Sequence, residues 1–244
     1  MDAPIGTSTR RHWTPAVLAD ALQTLLQRLD NAARAAGRPA PRLLAVSKRQ
    51  AATAVAELHA AGQRAFGENY VQEAIAKQAA LAGLDIEWHL VGHLQSNKAA
   101  EAAARFDWVQ TLDRTRLVPA LARHRPQARG PLNVLIQVNI DDEASKHGCE
   151  PDAVDALAAA VAAEPALRLR GLMAIPAPFE DPARRREAFR RMRALFDALR
   201  ARHPSVDTLS MGMSDDLESA IAEGATLVRI GTALFGARPP KETT

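Results

Sequence analysis

A lysine closes the first apolar run of the chain, Leu43-Leu44-Ala45-Val46-Ser47-Lys48. Read as a strand, the run sends alternate side chains to opposite faces, so Lys48 points where Leu44 and Val46 point. An amine there is either a surface group just past the strand or a nucleophile in a dry pocket. In the second case desolvation lowers its pKa and favours attack on carbonyls. Lysine is scarce in this chain, standing only at 48, 77, 98, 146 and 241, and every other basic residue is arginine. Arginine serves wherever any positive charge suffices, so a position that keeps lysine leans toward needing an amine that can lose its proton.

A second chemical signal lies near the other end. Ser214 precedes a helical stretch, and Gly231-Thr232 opens a short helical turn. Free backbone N–H groups and the positive dipole end at such starts attract anions. Ser214 also reads as a plain N-cap, and Asp215 and Asp216 suit a cap while opposing a phosphate. A phosphate seat joined to a reactive amine points to pyridoxal phosphate held as a Schiff base, or to a sugar-phosphate aldolase.

The remaining candidates carry less. His89 and His93 sit four apart on a strand with no third ligand at metal-site spacing, and His93 reads better as lining a mouth or capping Gln95–Asn97. No G-x-x-x-x-G-K-[ST] and no G-x-S-x-G occurs. Cys149 lies among charged residues with no evident partner, and Met173, Met211 and Met213 read as pocket walls or core.

The elements that must hold these groups alternate along the chain. Thr14-Pro15 reads as an N-cap and first helical position, followed by leucines at 18, 22, 25 and 29 on one helical face. Eight strand-length runs follow, at 43–47, 64–67, 86–92, 108–112, 132–140, 169–175, 206–211 and 226–231. Alanine-rich helical stretches separate them at 50–61, 68–81, 97–105, 114–124, 151–163, 182–202 and 214–223. That count predicts an α/β fold, a single (β/α)8 TIM barrel with an extra N-terminal helix. An open doubly wound sheet is the runner-up, but no glycine fingerprint follows the first strand. Residues 14–238 are expected to form the barrel, with tails at 1–13 and 239–244. In a barrel the strands' C-terminal ends carry the chemistry. Here those ends bring Lys48, Asn69, His93, Lys98, Asn139, Asp141, Asp142, Lys146, Ser214, Arg229 and Thr232 to one mouth.

Composition bounds the rest. At 244 residues and 47% hydrophobic, the chain is too apolar for disorder and suits one large domain. A single cysteine excludes a disulfide framework and fits a reducing compartment. A formal charge of +3 is too mild to imply nucleic acid. Within 184–202, Phe189, Met192, Phe196 and Leu199 make one buried stripe, so its arginines read as the solvated side of an outer helix. No run of 18 apolar residues is present to span a membrane, and the first twelve residues read as a frayed tail rather than a secretory signal.

Several blocks closely resemble the pyridoxal-phosphate homeostasis protein family: Leu44-Ala45-Val46-Ser47-Lys48, Phe66-Gly67-Glu68-Asn69-Tyr70, and Trp88 through Lys98. Gln137–Ile140, Gly171–Pro176, Leu209–Ser214 and Val228–Thr232 extend the resemblance. It implies a barrel of the alanine-racemase N-terminal type that binds pyridoxal 5′-phosphate as a Schiff base on Lys48. By the same resemblance Ser214, Gly231 and Thr232 would contact the phosphate, Arg229 would face the pyridine nitrogen, and Asn69 would lie near the ring hydroxyl. Met211 joins them as a cofactor-binding residue. The resemblance implies a carrier or buffer of cofactor that influences vitamin B6 and amino-acid balance, without turnover. Its expected setting is cytoplasmic, as a monomer or weak dimer, with pyridoxal-phosphate-dependent apoenzymes as partners and neither nucleic acid nor membrane. An arginine at the pyridine nitrogen disfavours ring protonation and weakens the ring as an electron sink, which agrees with a carrier. The alternative is a pyridoxal-phosphate-dependent amino-acid racemase or decarboxylase. Racemases on this barrel add a tyrosine base from a second domain, and the single tyrosine here is Tyr70.

Overall fold

The leucines at 18, 22, 25 and 29 form the buried stripe of a helix, α1 (Pro15–Ala35). Beyond it the computed structural model, which describes residues 15–141, 147–177 and 181–236, alternates strand and helix. The Thr14 cap, the two expected tails, Asp142 and Lys146 lie outside the described residues. The strands are β1 (Arg42–Val46), β2 (Ala65–Glu68), β3 (Glu87–Leu90), β4 (Trp108–Leu112), β5 (Leu132–Gln137), β6 (Leu167–Met173), β7 (Thr208–Ser210) and β8 (Leu227–Ile230). After them in turn come α2 (Ala52–Ala60), α3 (Val71–Ala80), α4 (Ala99–Arg105), α5 (Leu117–His124), α6 (Val154–Ala162), α7 (Pro182–Arg202), α8 (Leu217–Ala222) and α9 (Thr232–Phe235). Each strand pairs in parallel with the next, and β8 pairs with β1, closing the barrel.

Strand periodicity divides the apolar residues between two cores. Leu43 and Ala45 of β1, Phe66 of β2, Val109 of β4 and Val228 and Ile230 of β8 face outward, where they join the leucines of α1 in one continuous core under the helices. Leu44, Ala65, Val91 and Leu227 form a small cluster inside the barrel, and Trp108, Leu135 and Met173 form another.

Four of the eight strands are shorter than the apolar runs, and the other four match them in length. The run 86–92 pairs only over Glu87–Leu90, 132–140 ends as a strand at Gln137, and 206–211 contracts to Thr208–Ser210. A barrel strand lasts only while both neighbours run alongside it, so residues 91–92, 138–140 and 211 pass into the mouth loops, whereas 86 and 206–207 are trimmed at the opposite end. β6 is shifted rather than shortened, running over Leu167–Met173, and its pairing with β5 slips one residue between Val134 and Leu135. Gly171 makes this possible: its φ is 143°, and a Cβ there would lie 1.9 Å from the Thr208 carbonyl oxygen.

α7 begins under Asp181, whose side chain accepts the Ala183 N–H at 2.8 Å. Its Phe189, Met192, Phe196 and Leu199 are buried as the stripe predicted. Arg186, Arg193 and Arg202 of its outer face pair with Glu223, Asp197 and Asp155. Among the described residues no helix is long and apolar enough to cross a membrane.

Candidate functional site

Lys48 continues the inward parity of Leu44 and Val46 two residues past β1. It lines a cavity of about 250 Å³ at the C-terminal mouth of the barrel, together with Asn69, Ser214, Arg229, Gly231 and Thr232. Val46, Val91, Ile175 and Met213 supply apolar wall, and Gln50 and Asp215 complete the polar lining. The volume lies just under the roughly 300–1,000 Å³ common for ligand clefts, which suits a compact guest. An amine, a guanidinium, two hydroxyls, two side-chain amides and a carboxylate thus line one small space.

The backbone on both sides of Lys48 is held by a buried charge cluster. Lys77 of α3 reaches up under the end of β1 and donates to the Ser47 carbonyl oxygen at 2.6 Å, to Glu68 Oε1 at 2.7 Å and to Glu73 Oε1 at 2.8 Å. Ser47 Oγ donates to the same Glu68 oxygen at 2.6 Å. Glu73 Oε1 also accepts the backbone N–H of Arg49, which sits in the left-handed region at φ 61°. Left-handed backbone is costly for a residue with a Cβ, so this contact fixes a conformation the chain does not prefer locally. Lys77 and Glu68 are almost wholly buried. Burial pushes the Glu68 carboxyl up, and the Lys77 ammonium and the Ser47 hydroxyl oppose that rise.

Arg229 enters the cavity from the barrel interior. Its Nη1 donates to Ser210 Oγ and its Nη2 to the Ala174 carbonyl oxygen, both at 2.8 Å. Burial lowers its pKa to about 10, opposed by Asp216, so the guanidinium still carries its charge at neutral pH.

Six of the seven residues singled out from the sequence therefore face one cavity. Met211 differs. Its side chain is wholly buried in the core under the helices, and the methionine of the cavity wall is Met213. Residue 211 directly follows β7 and faces outward, whereas 213 lies beyond the sharp turn at Gly212. Ser214 is not a helix cap. α8 starts at Leu217, and Asp216 holds the capping position with its Oδ1 turned back to the Met213 N–H at 2.6 Å. That carboxylate is thereby occupied by backbone, while Asp215 remains on the cavity wall.

The histidines part company. His89 is buried inside the barrel, stacked on Trp108 with ring centroids 5.1 Å apart. His93 lies at the mouth, where it meets Asp113 and His147 from the next two loops, with ligand atoms within 4.8 Å of one another. The two imidazoles lie face to face at 3.8 Å and 15°, so their in-plane lone pairs run side by side instead of converging on one ion. Arg114 takes the other oxygen of Asp113. His93, His147, Tyr70 and Lys98 line a separate hollow of about 580 Å³, to which Asn69 also contributes. Tyr70, the one tyrosine, thus faces this second hollow and not the Lys48 cavity. Cys149 is buried beside the end of β5 and bridges to Val138.

The comparisons with known proteins fall on the same ground. A family model described as "Alanine racemase, N-terminal domain" matches residues 21–239. A pyridoxal phosphate homeostasis protein of Pseudomonas aeruginosa is 55% identical over 223 residues, 91% of this chain and 96% of that protein. One from Escherichia coli K12 is 56% identical over 201 residues, 80% of this chain and 85% of that protein. PipY of Synechococcus elongatus, solved without and with PLP bound, superposes with TM-scores of 0.81 and 0.78. Both comparisons have 38% identity and cover 90% of this chain and 100% of PipY. An alanine racemase of Corynebacterium glutamicum shares the fold at 19% identity and TM-score 0.69, with this chain spanning 63% of it. Motif blocks, closed barrel and relatives agree: the chain belongs to the pyridoxal phosphate homeostasis protein family.

Proposed function

We propose that this protein binds pyridoxal 5′-phosphate covalently on Lys48 and holds it for delivery, without turning over a substrate of its own. The observation that carries the reading is the convergence of the Lys48 amine and the Arg229 guanidinium on one cavity of about 250 Å³. The donor set fits the group chemically. At Gly231 a Cβ would lie 3.2 Å from the Val46 carbonyl oxygen, tighter than side chains ordinarily pack, so the bare backbone can stay close to both strand and guest. Relatives bearing the homeostasis name and a PLP-bound PipY support the same assignment.

When bound, the cofactor supplies an aldehyde carbon for an amine and a pyridine ring that can draw electrons. Lys48 Nζ is the amine, presented by a backbone clamped on both sides. Ser214 and Thr232 offer hydroxyls, and Gly231 and Thr232 offer N–H groups, to the phosphate. Asn69 would lie beside the ring hydroxyl. Arg229 would donate to the pyridine nitrogen, and as a buried cation it would resist a second positive charge there. By keeping that nitrogen unprotonated, Arg229 would favour storage over carbanion chemistry. The same reading places the protein in the cytoplasm, as a monomer or weak dimer serving PLP-dependent apoenzymes.

The test compares wild type with Lys48→Ala by visible absorbance before and after borohydride, with intact mass after reduction. A yellow band and a borohydride-fixed mass in wild type alone are expected. A wild type that stays colourless after incubation with PLP overturns the reading. Mixed with an apoenzyme, the loaded protein should restore its activity, and steady conversion of any free amino acid by pure protein would instead establish an enzyme.

A further inference from the structure

Five side chains from four strands form an unbroken hydrogen-bonded file along the inside of the barrel. Arg229 Nη1 on β8 donates to Ser210 Oγ on β7 at 2.8 Å, and the Ser210 hydroxyl donates to Gln110 Oε1 on β4 at 2.7 Å. Gln110 Nε2 donates to His89 Nδ1 on β3 at 2.8 Å, and His89 Nε2 meets Glu87 Oε1 at 2.7 Å. Glu87 opens β3 at the end of the barrel opposite the cavity, where Arg42 Nη2 also reaches its Oε1 at 2.7 Å. Ser210, Gln110 and His89 are wholly buried, so none can exchange these partners for water.

The direction of every link follows from the last. An ionised carboxylate only accepts, so His89 Nε2 carries the proton. Burial favours the neutral imidazole, which leaves Nδ1 as an acceptor. Gln110 must then turn its amide nitrogen to His89 and its oxygen to Ser210. The Ser210 proton is thereby committed to Gln110, and its lone pairs face Arg229. Every dipole adds head to tail from guanidinium to carboxylate, the arrangement in which buried hydrogen bonds reinforce one another.

We propose that Glu87 and His89 are positioning residues for Arg229, fixing the orientation and donor strength of the guanidinium that meets the cofactor ring. The inference rests on the assignment of Arg229 to the pyridine nitrogen. Other charged groups near the file are few. Arg42 and Asp107 lie near His89, Arg170 sits over Trp108 at 4.6 Å, and Asp216 lies near Arg229.

The experiment titrates the visible band of PLP-loaded protein against pH, with thermal stability measured alongside. Glu87→Gln keeps an acceptor for His89 but removes the charge, and Glu87→Asp keeps the charge. We expect Glu87→Gln and His89→Gln to move the titration midpoint in the same direction by about half a pH unit or more, a roughly three-fold change in proton affinity. Glu87→Asp should stay nearer wild type. Should His89→Gln fail to fold, the Glu87 pair decides alone. If Arg229→Lys moves the midpoint while Glu87→Gln leaves it in place, the file does not act through Arg229 and the inference falls, with the ring assignment intact. If Arg229→Lys moves nothing, the assignment falls and the inference with it. Independently of cofactor, imidazole nitrogen NMR of the unloaded protein should find His89 protonated on Nε2, and an Nδ1 proton would reverse the file and refute it.

Discussion

Lys77 Nζ lies 2.6 Å from the carbonyl oxygen of Ser47, so an ammonium from α3 holds the peptide group immediately ahead of Lys48. The same ammonium holds Glu73, which takes the N–H immediately after Lys48. The proposed nucleophile therefore stands on backbone tied at both ends to one buried cation.

Replacing Lys77 with Met should be costly in two ways. Removing one partner of a buried ion pair typically loses about 3–5 kcal/mol, because the remaining carboxylates stay desolvated and unpaired. Urea unfolding checks that loss. Cofactor uptake followed by the visible band should weaken too, as Arg49 is released from its left-handed conformation. A Lys77→Met protein with wild-type stability and uptake would show that the clamp does not hold Lys48.

Glu87 predicts an acid dependence of stability. Burial opposes its ionisation, yet the His89 N–H and then Arg42 hold the carboxyl at about 2, down from an ordinary 4.5. A carboxyl with a depressed folded pKa contributes stability that is present above its unfolded value and lost as pH falls toward the folded one. Between pH 5 and pH 3 the wild type should therefore lose more stability than Glu87→Gln, measured as the difference in urea midpoints. Equal losses would mean that Glu87 is not held this way.

The thiol of Cys149 is pushed up to about 12, first by burial. Only the thiolate attacks disulfide reagents, so the folded protein should react with a chromogenic disulfide far more slowly than the urea-unfolded chain. Rapid native labelling would contradict the buried placement.

Gly92 packs directly against Asn69, and a Cβ at residue 92 would sit 2.1 Å from the Asn69 carbonyl oxygen. Backbone cannot yield as a side-chain tip does. Gly92→Ala should cost about 1–3 kcal/mol, in the manner of overpacking, and should weaken cofactor uptake by moving Asn69. Normal melting and uptake in this variant would remove Asn69 from the site.

The barrel was legible because eight apolar runs alternated with helical stretches, and the parity of Leu44, Val46 and Lys48 aimed the amine correctly. Local patterns said less about turns. Ser214 read both as a cap and as a phosphate contact, because a serine before a helix suits either, but the helix begins three residues later, with Asp216 just ahead of it. Met211 and Met213 share a strand parity, which the turn at Gly212 breaks. The meeting of His93, Asp113 and His147 depends on three loops from neighbouring strands, and no spacing along the chain encodes it. Lys77 left a fainter trace. It is one of few lysines in an arginine-rich chain, and that scarcity singles it out as much as Lys48, but only the folded barrel gives its partners.

One residue borders both hollows at the mouth: Asn69 lines the Lys48 cavity and the larger space beside Tyr70 and His93. A shared wall makes the two spaces thermodynamic neighbours. A guest in the outer space that draws Asn69 toward itself changes the grip on whatever occupies the inner one, and reciprocity requires the inner guest to alter the outer affinity by the same factor. If the inner space holds the proposed cofactor, a shift of Asn69 alone would reach both spaces without any rearrangement of the barrel.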